Sequence, residues 1–140
     1  MVPFRRLMMT AAWCCLALGQ ARFSDKDVEN LMTNLKDDSK KFRSSFDSAI
    51  GTSTVRKTSR EKDAKALVSR FVKETEGMLD HFREKKKGDA ELQAVLRSAD
   101  QIDAVMSEVP LGSRAESDWQ KVKAELSSLS DAFGVGRSPR

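Results

Sequence analysis

Chemistry at a protein site needs a base, a nucleophile, a set of metal ligands or a phosphate cradle, and this sequence is sparing with all of them. Its one histidine is His81, in Leu79-Asp80-His81-Phe82, and its two cysteines, Cys14 and Cys15, stand together near the start. A Ser-His-Asp or Cys-His arrangement would have to use His81, and no G-x-S-x-G elbow supports one. Di-iron bundles place Glu-x-x-His on two helices, and that spacing does not occur here. Zinc needs more His or Cys than the chain offers, and there is no C-x-x-C-H for haem attachment. Met32 with His81 is a conceivable haem pair, but Met32 fits an apolar stripe in which methionine is a common filler. Asp100 and Asp103 have no loop to gather them around a hard cation. No glycine-rich loop cradles a phosphate. The expectation is a chain that is not an enzyme, with no catalytic residue, no metal site and no cofactor.

What the sequence does carry is charge and one polar interruption. Arg56, Lys57, Arg60 and Arg114 form one set of cations, and Lys85, Lys86 and Lys87 another. Each is a candidate contact for an anionic surface such as lipid head groups or polysaccharide. The helix dipole alone accounts for the lysine run, since cations near a helix C-terminus are stabilising by some tenths of a kcal/mol. Ser39 and Thr75 fall on otherwise apolar stripes with Gly77 nearby, a candidate polar niche or hinge in the core. Hydroxyls bonded back to their own helix would also explain them.

The elements that position these residues are helices. Four stretches carry apolar residues at helical spacing, and nothing alternates with the period of a strand. The first follows Ser24 with Asp25 and Asp27 in its opening turn, presents Val28, Leu31, Met32, Leu35, Phe42, Phe46, Ala49 and Ile50, and stops at Gly51. The second follows Thr58 or Ser59, runs through Ala64, Leu67, Val68, Phe71, Val72, Met78, Leu79 and Phe82, and ends near Gly88. The third starts with Asp89 as N-cap, carries Leu92, Val95, Leu96, Ala99, Ile102, Val105, Met106 and Val109, and is closed by Pro110. The fourth opens on a capping box, Ser113 with Glu116. Ala115, Trp119, Val122, Leu126, Leu129 and Phe133 follow, up to Gly134. Pairs such as Asp37 with Lys41 and Glu61 with Lys65 suit exposed faces.

Each stripe covers one face, so each helix needs partners. Connections of roughly 5 to 9 residues favour antiparallel neighbours. The predicted fold is therefore all-α, an up-down antiparallel four-helix bundle of helices about 20 to 25 residues long. It would set Arg56, Lys57, Arg60 and Arg114 at one end, and Lys85, Lys86 and Lys87 at the other beside Arg137 and Arg140.

Ahead of the first helix, Arg5 and Arg6 precede an apolar run over residues 7–18 and then Gly19-Gln20-Ala21, the pattern of a cleavable secretory signal peptide. The run is short of the roughly 20 residues that span a bilayer. Trp13 before Cys14 does not suit a lipid-anchored cysteine. The expected organisation is a leader over 1–21, a single bundle domain over 22–136 and a frayed tail over 137–140. Cleavage would remove both cysteines, and with Arg5 and Arg6 it would lower the net charge from +4 to +2. Stability would then rest on burial alone. A charge that low, together with export, argues against nucleic acid as a partner.

NLKDDSKKFRSSFDSAI and SRAESDWQKVKAELSSLSDAFGV, with their F-x-x-x-F-D and A-E-x-D-W spacings, resemble segments of a loose group of small exported helical-bundle proteins of environmental bacteria. Phe133 stands where that group has Tyr, and Ser117 where it has Asn. The resemblance implies a helical fold and an exported address, periplasmic or extracellular, and no mechanism. Two functions fit. One is a binding or structural protein of the cell envelope, monomer or dimer, with a protein or envelope-surface partner and membrane contact only during export. The other is a periplasmic holdase-like chaperone or stress protein that opens its hairpins. Few spare apolar residues favour the first.

Overall fold

The computed structural model describes residues 23–134, so the predicted leader and the end of the tail, Arg137 and Arg140 included, lie outside the described residues. Four helices follow one another: α1 Asp25–Ile50, α2 Ser59–Lys85, α3 Asp89–Glu108 and α4 Ser113–Phe133. Cross-helix contacts fix their directions. Glu29 meets Arg83 and Lys40 meets Glu76 between α1 and α2. Arg60 meets Glu108, Arg70 meets Gln101 and His81 approaches Glu91 between α2 and α3. Ser45 meets Asp118 and Asp38 approaches Lys121 between α1 and α4. In each pair the numbers rise on one helix as they fall on the other, so neighbours are antiparallel. α1 packs on α2 and α4, α2 on α3, and α3 only narrowly on α4. This is the up-down four-helix bundle that the stripes predict.

The stripes close on one another. Phe42, Phe46, Phe71, Met32, Met78, Leu92, Ile102, Leu126 and Trp119 are almost wholly buried. Trp119 stands at the centre, 4.9 Å from the Phe42 ring and 5.6 Å from that of Phe71, close enough for favourable aromatic contacts. Its indole N–H donates to Asp103 at 2.7 Å, and Lys123 joins the same carboxylate at 3.2 Å.

The helix ends agree with expectation at some places and depart from it at others. Ser24 caps α1 and exchanges hydrogen bonds with Asp27, and Thr58 caps α2. Helix α2 ends at Lys85, short of Gly88, because Lys86 takes the left-handed conformation and its N–H bonds the Phe82 carbonyl at 2.8 Å. The α2–α3 connection is then only residues 86–88, tighter than predicted. The capping box at Ser113 does not form: Gly112, at φ 91, holds the N-cap position and Ser113 is already helical. Gly88 likewise displaces Asp89 as the N-cap of α3. That connection lies so close to the core that a Cβ on Gly88 would stand 3.1 Å from Met32 Cε and 3.3 Å from the Phe133 ring.

Candidate functional site

The fold gathers Arg56, Lys57, Arg60 and Arg114 at one end. Arg56 and Lys57 lie on the α1–α2 loop, Arg60 in the first turn of α2 and Arg114 in the first turn of α4. Segment 51–65 carries five cations (Arg56, Lys57, Arg60, Lys62 and Lys65) against two carboxylates, Glu61 and Asp63. Some are committed: Arg60 pairs with Glu108 at 2.6 Å and Lys65 with Glu61 at 3.1 Å. Arg56, Lys57 and Arg114 take part in no side-chain ion pair among the described residues. The loop is held in shape from within. Lys57 sits at φ 60, and its N–H donates to the Glu61 carboxylate, the main reason that this carboxyl is held below the usual carboxylate range. The Thr58 hydroxyl bonds back to the Val55 carbonyl, and the Val55 side chain is buried.

Behind this loop is a cleft of about 190 Å³, walled by Ile50, Val55, Ala64, Leu67, Val105 and Val109, with Arg60 and Asp63 at its edge. An apolar cavity of about 150 Å³ holds a benzene ring, so the cleft has room for one large apolar side chain. A second, more polar cleft on the α4 side is bordered by Ser44, Ser48 and Arg114. This end of the bundle therefore carries an apolar recess edged by Arg60 and Asp63, with the exposed cations Arg56, Lys57 and Arg114 on neighbouring segments.

At the other end, Lys85, Lys86 and Lys87 are exposed, and Lys86 Nζ stands 5.7 Å over the Phe82 ring. Among the described residues, these three lysines line neither of the two clefts above. The predicted polar layer is part real. Ser39 and Thr75 are both fully buried, at matching levels of α1 and α2 beside the Lys40–Glu76 bridge. The Thr75 hydroxyl bonds the Val72 carbonyl at 2.6 Å, while Ser39 Oγ has no partner among the described residues. Gly77 lies outside this layer, exposed and with open space where a Cβ would go. His81 faces Glu91 at 3.7 Å on the half-exposed α2–α3 surface, whereas Met32 is buried in the core.

One arrangement escaped the sequence. Lys41 approaches Asp38 rather than Asp37, because Asp38 is turned into the α1–α4 seam, where Glu125 meets it. Burial, then a hydrogen bond to Asp38 and its negative charge, push the Glu125 carboxyl up to about 8. The signal was present twice over: Asp38 is three residues after Leu35 and four before Phe42, and Glu125 three after Val122 and four before Leu129. Both carboxyls thus stand on the shoulder of an apolar stripe.

Comparison of this chain with protein-family models, curated proteins and solved structures finds no match.

Proposed function

We propose that this chain is a non-enzymatic helical bundle, exported to the cell envelope, that works by binding. Its contact is the end built from the α1–α2 loop and the start of α2, and its partner is a protein with an acidic surface that offers one apolar side chain to the cleft. The observation that carries this reading is the apolar recess of about 190 Å³ edged by Arg60 and Asp63, with Arg56 and Lys57 following Val55 of its wall on the α1–α2 loop. Protein interfaces concentrate affinity in such a pattern, a desolvated apolar anchor inside a polar rim. The rim charges would steer the approach and set specificity. The leader over 1–21 and the resemblance to exported bundles support the address.

The closed core supports this reading over the holdase one. Phe23, 43% exposed, is the one large hydrophobic side chain exposed among the described residues. A holdase would be expected to offer a broader apolar surface to its clients. Cross-linking in the native host, followed by recovery from the envelope fraction, tests the proposal. One or two recurrent partners are expected with the wild type, and their loss with Arg56→Glu/Lys57→Glu. Unchanged partners in the double variant, or many unrelated unfolded clients, would overturn it.

A further inference from the structure

The seam between α1 and α4 contains an acid pair that neither helix capping nor surface salt bridging explains. Asp38 is 8% exposed. Glu125 is half-buried as a residue, but its Oε1 is shut off from water and meets no donor among the described residues. The cations nearby stay at the rim: Lys41 Nζ is 3.9 Å and Lys121 Nζ 3.8 Å from Asp38 Oδ1, beyond hydrogen-bond reach. Ionised carboxylates only accept hydrogen bonds, so a bond between these two exists only when one of them carries a proton and donates it. Two adjacent carboxylates away from water resist ionising together.

We propose that Asp38 and Glu125 share a single proton across the α1–α4 seam, and that loss of this proton in alkaline solution opens the seam and releases α4. The shift of Glu125 to about 8 agrees with this placement. On α1, Asp37 adds to the repulsion of a second charge and Lys41 approaches Asp38; on α4, Lys121 opposes the shift. Of the charged groups on the other two helices, Glu76 of α2 is engaged by Lys40 and Asp103 of α3 by Trp119 and Lys123. Position gives the pair its leverage. Helix α4 packs mainly on α1, and its other ties are the narrow contact with α3, where Trp119 and Lys123 reach Asp103, and the Trp119 ring against Phe71 of α2, so the α1 side is the largest part of what holds it. The Ser45–Asp118 hydrogen bond, 2.8 Å long, is a further polar clasp on this seam and stands toward the cationic end. In the step itself the Glu125 O–H bond breaks, the proton passes to hydroxide to form water, and two facing carboxylates remain. This inference does not depend on the identity of any partner.

The test is a carbon-13 NMR titration of the glutamate carboxyl groups from pH 5 to 9.5, with amide hydrogen exchange of α4 at pH 6 and 9 corrected for intrinsic rates. Glu125 is expected to titrate with its midpoint near 8. Protection of α4 amides is expected to fall about tenfold or more between the two pH values, as local opening becomes easier. Glu125→Gln, whose amide donates to Asp38 at every pH, is expected to hold protection level. A Glu125 midpoint in the ordinary carboxylate range, or the same fall in Glu125→Gln, would overturn the proposal. Should that variant fail to fold at pH 6, Asp38→Asn serves: its amide donor and lost charge should bring the Glu125 midpoint down, and an unmoved midpoint would overturn the shared proton.

Discussion

Replacing Trp119 with alanine removes the centre of the core. The side chain is 1% exposed and touches the Phe42 and Phe71 rings at 4.9 and 5.6 Å. A buried aromatic of this size withdraws about 200 Å² from water, and at about 25 cal/mol per Å² that is about 5 kcal/mol, less the part the alanine methyl retains. The expected loss is about 3 to 5 kcal/mol, in line with large aromatic truncations elsewhere. The indole hydrogen bond contributes a smaller share. Asp103 is one-third exposed and keeps Lys123 at 3.2 Å, so it is not stranded when the indole leaves. Trp119→Phe should therefore lose only about 1 to 2 kcal/mol. Urea unfolding followed by far-ultraviolet circular dichroism gives both values without relying on tryptophan emission. A loss below about 1 kcal/mol for Trp119→Ala would refute the packing argument and place Trp119 at an interface instead.

Other outcomes follow from the same geometry. Gly77→Ala should stabilise the protein by about 0.5 to 1 kcal/mol, since the site is an exposed helix interior with open space for a Cβ. Gly112→Ala should destabilise by about 1 to 2 kcal/mol, because φ is 91 there; denaturant midpoints decide both. The pH profile has a definite sign. Glu125 is raised from 4.5 to about 8 on folding, so its stabilisation is complete below about 4.5 and is lost as pH rises through about 8. Urea midpoints at pH 6 and 9 check this, and a midpoint that rises with pH across that window would contradict it. Mass spectrometry of protein from the envelope fraction is expected to find Arg22 at the N-terminus; an intact leader would contradict the signal-peptide reading.

The bundle was legible because its stripes are local. Met32, Leu35, Phe42 and Phe46, or Trp119, Val122, Leu126 and Leu129, announce a buried face within a few turns of one helix. Val55 and Leu111 were not legible, since they lie in connections and are buried only through the way those connections fold back. The rule that pairs residues four apart gave Glu61 with Lys65 correctly and Asp37 with Lys41 wrongly. It names neighbours on a helix surface and does not say which neighbour faces inward. Asp38 and Glu125 share the same shoulder position on their stripes, yet their meeting depends on the register of α1 against α4. That register is set across most of the chain and cannot be read from either helix. The cationic end was foreseen in outline, and the recess beneath it was not, because the recess exists only where Val55, Leu67 and Val109 from three separate segments come together.

Site-resolved photo-cross-linking in the native host tests the central claim most directly, with a photoreactive residue at Thr52 beside the cationic cleft or at Lys87 on the opposite end. The account predicts that position 52 captures a recurrent acidic protein partner, in a yield that falls with added salt, and that position 87 does not. Equal capture from both positions, or capture from position 87 alone, would contradict it.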